Sequence, residues 1–102
     1  MIRLLEERRQ ELAQLCAHYR VGRLEVFGSA RTGERFDETS DLDFLIEFLP
    51  LRQGERADAY FGLLEAMENL FRRPVDLVVR QAIRNPYFLA AVNNERELLY
   101  AP

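Results

Sequence analysis

Helical and strand-like segments alternate along this chain, which predicts a sheet covered by helices, an α/β or α+β layer fold. Three observations lead there. The order reads helix, strand, short helix, strand, helix, strand, helix. The stretch DLDFLIEF, residues 41–48, repeats at period two, with Leu42, Phe44, Ile46 and Phe48 on one face. The 102 residues fit one domain with one core.

Residues 2–19 predict an amphipathic helix. Leu5, Leu12, Cys16 and Tyr19 fall near helical spacing, opposite Glu6, Glu7, Arg8, Arg9 and Glu11. Val21-Gly22 is the expected stop. Residues 23–27, RLEVF, alternate as a strand and end at Gly28. From Ser29 a short helix or turn is expected, interrupted by Gly33, and residues 34–40 read as a loop. The strand over 41–48 ends at Pro50. Residues 55–71 predict a second amphipathic helix. Tyr60, Leu63, Leu64, Met67, Leu70 and Phe71 form its core stripe, and Arg72, Arg73 and Pro74 close it. Residues 75–80 predict a third strand. Residues 86–99 predict a last helix, with Pro86 in the first turn.

Composition narrows the function classes. Hydrophobic residues make up 48% and charged residues 30%, as in a soluble globular protein. No apolar run approaches the roughly 20 residues a membrane helix needs. The opening MIRLLEERRQ is charged where a secretory signal is apolar, so no targeting peptide is expected. Cys16 is the only cysteine, which predicts no internal disulfide and a cytoplasmic setting. A net charge of −3 speaks against a dedicated nucleic-acid binder. All 14 basic residues are arginine, so any basic contact to phosphate comes from arginine.

The chemistry concentrates in two places. Asp41 and Asp43 share one strand face, at the point where a buried strand begins, and Asp76 opens another strand. If the strands are neighbours, three carboxylates meet, and like charges so placed call for compensation. A divalent cation supplies it. Mg²⁺ suits a site of few carboxylates, water and substrate phosphates, and two such ions can clamp the attacking and leaving oxygens of a phosphoryl transfer. Upstream, Gly28 lets a ligand approach the backbone closely, and Ser29 adds a hydroxyl donor. Neither G-x-x-x-x-G-K-[ST] nor G-x-G-x-x-G is present. A lone D-x-D is more often a strand opening or turn cap than a metal site. The conjunction of strand, Gly-Ser, loop, D-x-D and a third Asp-bearing strand is sharper.

Phe27-Gly28-Ser29, Ser40-Asp41-Leu42-Asp43 and Val75-Asp76-Leu77 together resemble the minimal nucleotidyltransferase (MNT) family, within the superfamily typified by DNA polymerase beta. The stretch from Asn85-Pro86-Tyr87 through Glu97-Leu98-Leu99-Tyr100 also resembles the MNT C-terminal helix. Eleven residues, Ala30 to Ser40, separate the two motifs, against about ten in the family. The resemblance implies an α+β nucleotidyltransferase fold, a small mixed sheet flanked by helices, with residues 1–102 as a single domain. It implies that Gly28 and Ser29 hold the nucleoside triphosphate. It makes Asp41, Asp43 and Asp76 the Mg²⁺ ligands and the catalytic carboxylates, with Asp76 as base. The implied reaction moves a nucleoside monophosphate, AMP if the substrate is ATP, onto a hydroxyl. Larger members carry a further helical domain, so a partner or a second copy (a homo-oligomer) is expected to complete the pocket. MNT proteins often pair with an all-helical HEPN toxin, act as its antitoxin and modify its tyrosine.

Two function classes remain open. One is a metal-dependent transferase. The other is an antitoxin that neutralises its partner by covering it, the nucleotide site being idle. An aminoglycoside-type enzyme fits less well, because a chain this short has little surface left to enclose a small acceptor. Among other residues, Arg31 is expected to contact phosphate and Arg35 has a weaker claim, since loop arginines are commonly solvated. Glu47 shares the aspartate face but lies too far along to be a ligand. Ser40 is expected to shape the turn, His18 to be exposed and Cys16 to be core. Any exposed part of the Tyr60–Phe71 stripe, with Phe88, Leu89 and Val92, is a candidate partner surface.

Overall fold

The computed structural model describes residues 1–102, the side chains of Asn93 and Asn94 excepted. Two short helices, α1 (Arg3–Glu7) and α2 (Arg9–His18), precede strand β1 (Val21–Phe27). A single helical turn, α3 (Ser29–Thr32), and a loop lead to β2 (Leu42–Phe48). The long α4 (Glu55–Phe71), β3 (Val75–Val79), a 3₁₀ turn (Arg80–Ala82), α5 (Pro86–Asn94) and β4 (Arg96–Tyr100) complete the chain. The sheet order is β3-β2-β1-β4. β1 pairs antiparallel with β2 and β4, while β2 and β3 are parallel, joined through α4. This is the small mixed sheet with helices that was expected.

The core lies where the period-two pattern places it. Leu24 and Val26 of β1 and Leu42, Phe44 and Ile46 of β2 are fully buried, with Leu5, Leu12 and Cys16 of the first helices and Leu63 and Met67 of α4. Phe44 stacks against Phe71, ring centroids 6.2 Å apart. Burial pushes the Cys16 thiol up to about 12, so it packs as an apolar group. His18 is exposed, edge-on to Tyr19.

Three expectations need correction. The first helix is not continuous: at Arg8 the backbone turns to φ −105°, ψ 12° and divides it. It stops before Val21-Gly22, because Arg20 takes the left-handed conformation (φ 62°) that glycine was expected to supply. Val21 and Gly22 therefore belong to β1. The last helix is shorter than 86–99. Asn85 caps it, its Oδ1 accepting from the N–H groups of Tyr87 (2.9 Å) and Phe88 (3.3 Å), and it ends at Asn94. Arg96–Tyr100 becomes a fourth strand instead, because the open edge of β1 offers backbone partners that a helix there would leave unused.

The opposite edge, β3, is blunted by α4. Tyr60 donates its hydroxyl to the Leu77 carbonyl (2.8 Å), and the Val75 N–H donates to Glu68 Oε2 (3.2 Å). Two outward backbone groups are thus capped by side chains rather than left for another strand.

Candidate active site

The parallel pairing of β2 and β3 sets Asp43 directly opposite Asp76. Residues in register on adjacent strands project to the same face, with backbones roughly 4.8 Å apart. β1 and β4 extend the row: Phe27 lies opposite Asp43, and Arg96 opposite Phe27. One row therefore crosses the sheet as Asp76, Asp43, Phe27, Arg96. Asp41 stands exposed just ahead of β2, two residues before Asp43. Burial, then the charges of Asp76 and Asp41, hold the half-buried Asp43 carboxyl above the usual carboxylate range.

The glycine turn sits against this carboxylate. Gly28 has φ 71° and ψ −154°, which strains any other residue. A Cβ built there would lie 2.6 Å from Asp43 Oδ2, closer than atoms can approach. Glycine is thus required twice, by the backbone angle and by the carboxylate beside it. The turn is held from below, where the Ile2 N–H donates to the Ala30 carbonyl (3.0 Å). Beside it opens a cleft of ≈ 350 Å³ lined by Gly28, Ser29, Arg31, Thr32, Arg35 and Glu95, with Glu34. The structure thus brings Gly28, Ser29 and Arg31 into one cleft and sets Asp43 and Asp76 in register on the adjoining sheet face, with Asp41 just ahead of β2.

The loop carrying Asp41 has its own scaffold. Asp37 Oδ1 accepts from the Thr39 N–H (2.8 Å) and hydroxyl (2.7 Å), which keeps this exposed carboxyl below the usual range. Ser40 shapes the turn as expected, its Oγ accepting from the Asp37 N–H (3.0 Å). Arg73 then clasps the loop. Its Nη1 donates to the carbonyls of Asp37 and Ser40, both at 3.1 Å, and its guanidinium lies 4.7 Å from the Phe36 ring centre. Arg73 thereby joins the residue before Asp41 to the segment that leads into Asp76.

Sequence reading missed several of these residues. Arg73 looked like a helix stop, and only its place three residues before Asp76 hinted at more. Glu95 falls within the helix predicted over 86–99 and carries no signal of its own for the cleft. On the site face Glu25, 3% exposed, accepts from Arg23 (3.0 Å) and Arg96 (3.1 Å), a charge cluster bridging β1 and β4. Glu47 pairs with Arg80 (3.2 Å), so it is occupied structurally.

Among the described residues, no three His, Cys, Asp or Glu side chains stand close enough to form a ready cation cage. Their chemistry nevertheless fits a hard divalent cation. The donors are all carboxylate oxygens, Asp43 on β2 with Asp41 just ahead of it and Asp76 in register on β3. Among the described residues no arginine pairs with any of them, so the repulsion felt at Asp43 is unrelieved.

The family model of the nucleotidyltransferase domain matches residues 3–99. Two relatives from Methanocaldococcus jannaschii, each named "putative protein adenylyltransferase", are 33% identical over 82 residues and 36% identical over 84. Each match covers 80% of this chain and 78% of the relative. A solved structure described as a "putative minimal nucleotidyltransferase" superposes with a TM-score of 0.75 at 33% identity, over 91% of this chain and 90% of that one. A chain from the complex of a tri-AMPylated Shewanella oneidensis HEPN toxin with its MNT antitoxin superposes with a TM-score of 0.67, over 96% of this chain and 73% of that one. Identity there is 14%, so that likeness concerns the fold alone.

Proposed function

This chain belongs to the nucleotidyltransferase domain family, and on that premise we propose that residues 1–102 act as one minimal domain that adenylylates a partner protein. The donor is ATP, the acceptor a tyrosine of an all-helical HEPN-type toxin, and the outcome antitoxin action. The observation that carries this reading is the Asp43–Asp76 register, with Gly28 pressed against Asp43 beside a cleft holding Ser29 and Arg31. The name borne by the Methanocaldococcus relatives supports a protein as acceptor and AMP as the group moved, and the fold shared with the MNT chain of the toxin complex is consistent with a HEPN-type one.

In this reading the triphosphate lies along the glycine turn, where no Cβ obstructs it. The Ser29 hydroxyl and the Arg31 guanidinium hold phosphate oxygens. Asp76, exposed on its strand, takes the proton of the acceptor hydroxyl. The acceptor oxygen bonds to the α-phosphorus, the bond from that phosphorus to the bridging oxygen breaks, and pyrophosphate leaves with the electron pair. Asp41, Asp43 and Asp76 would hold Mg²⁺, which when bound offsets phosphate charge, one or two ions serving this end.

The test is incubation with Mg²⁺ and labelled ATP, with and without the HEPN-type partner, followed by intact mass of both chains. Whole AMP units on the partner are expected. Asp41→Asn with Asp43→Asn should cut transfer by at least about a thousand-fold, in the range that preorganised electrostatic groups supply, while circular dichroism stays unchanged. A stable complex with no mass gain from any nucleotide overturns the reading. It would leave neutralisation by occlusion, which the exposed Phe61, Tyr87 and Phe88 favour.

A further inference from the structure

Two apolar grooves meet at the C-terminal end of β3. One is lined by Arg56, Ala57, Tyr60, Phe61 and Val79. The other is lined by Val78, Val79, Ile83, Arg84 and Phe88. Val79 belongs to both, so the two grooves adjoin at the strand end, one on the α4 side of the sheet and the other on the α5 side. Phe61 is 63% exposed and Phe88 42%, among the most exposed large apolar side chains described. Such a patch on a small chain marks a contact surface.

Its charge says what covers it. Arg56 and Arg84 each line one groove, and both are exposed. No carboxylate lines either groove, and among the described residues neither arginine forms an ion pair. The molecule as a whole has a net charge of −3. The surface is therefore an apolar floor with cationic ends on an otherwise acidic chain. Apolar side chains flanked by Asp or Glu complement it. A nucleic acid fits less well, since two arginines separated by apolar surface offer few phosphate contacts. Strand addition is disfavoured too, because Tyr60 and Glu68 already cap the β3 edge.

Position ties this surface to the chemistry. Val78 lies two residues beyond Asp76 on the same strand face, roughly 6.6 Å along it. A segment seated here has its next residues beside Asp76. We propose that this surface docks the acceptor polypeptide through a segment of apolar residues flanked by carboxylates, so that the acceptor hydroxyl beside that segment reaches Asp76. The inference rests on the protein-acceptor reading above and adds to it where the acceptor binds and what sequence it carries.

The experiment is a positional-scanning library of short peptides, each with one central tyrosine, panned on the immobilised full-length chain. Binding is read directly, and AMP transfer with Mg²⁺-ATP is read separately by mass. Peptides with Leu or Phe beside Asp or Glu should bind roughly tenfold more tightly than those with Lys or Arg there. Arg56→Glu with Arg84→Glu should reverse that preference, and Phe61→Ser should weaken binding of the whole pool. These side chains are exposed, and thermal melts of the variants should match the parent. No charge preference, a basic preference, or an acidic preference unchanged in the double variant overturns the proposal. So does a single-stranded RNA that displaces the acidic peptides through the two arginines. If the peptides bind as expected and none gains AMP, the docking surface stands and the transfer reading falls. If AMP transfers regardless of flanking charge, the transfer reading stands and this surface falls.

Discussion

The two faces of the sheet are built by the same strands and have opposite characters. On one face Leu24, Val26, Phe44 and Ile46 show no exposed surface and pack under α1, α2 and α4. On the other, the alternate residues of those strands include Asp43, Asp76, Glu25 and Arg96. There α5 gives partial cover, with Phe88 edge-on to Phe27 at 6.5 Å. Period-two alternation lets neighbouring residues serve opposite ends: one set supplies stability, and the next holds unrelieved charge for chemistry. Substitutions on the two faces should therefore behave differently, even when the positions are adjacent in sequence.

Phe44→Ala should give the largest effect on folding. It deletes a fully buried ring that stacks on Phe71, and a loss of about 3–5 kcal/mol is expected from urea unfolding. Transfer per folded molecule should change little, since Phe44 points away from the aspartates. A small stability loss with a large loss of specific activity would break the separation between faces.

Gly28→Ala should be intermediate and should touch both properties. The left-handed backbone angle costs about 1–3 kcal/mol. The new Cβ also pushes Asp43 aside, so nucleotide transfer should fall as well. Full activity with lowered stability would show that the Gly28–Asp43 contact serves the fold alone.

Asp43→Asn should have the smallest effect on stability, and in the opposite direction. The folded state holds the Asp43 proton more tightly than the unfolded chain does, because burial and then the charges of Asp76 and Asp41 raise its carboxyl. Stability is thus lost as pH rises from the ordinary carboxylate value through the raised one. The asparagine variant avoids that loss. In EDTA it should melt above the parent at neutral pH, and the gap should close as pH falls through that window. A variant less stable than the parent at neutral pH would mean that Asp43 is relieved by a partner other than a cation.

Much of this was legible in local pattern. DLDFLIEF announced a strand with one apolar and one acidic face, since each side chain's direction follows from the pleat. The α4 stripe was legible for the same reason at period 3.6, with Leu63, Met67 and Phe71 buried as expected. The residues of the glycine turn and the aspartates could be singled out by type and spacing. RELLY at 96–100 misleads, because it continues a helical pattern through residue 99 while a five-residue segment has no strong intrinsic preference and adopts whichever structure its neighbours complete. Arg73 was opaque too, since its partners are carbonyls of a distant loop rather than side chains with a sequence signature.

The local record of the chain decides which residues face the core, which face the chemistry, and where glycine is needed. These follow from backbone geometry within a few residues of each position. Only the tertiary structure decided that Asp43 stands opposite Asp76, that the Asp43 carboxylate abuts Gly28, and that Arg96–Tyr100 closes the edge of β1. Register and edge pairing are set by hydrogen bonds and packing between segments far apart in the chain, and a one-residue slip would turn every side chain to the other face.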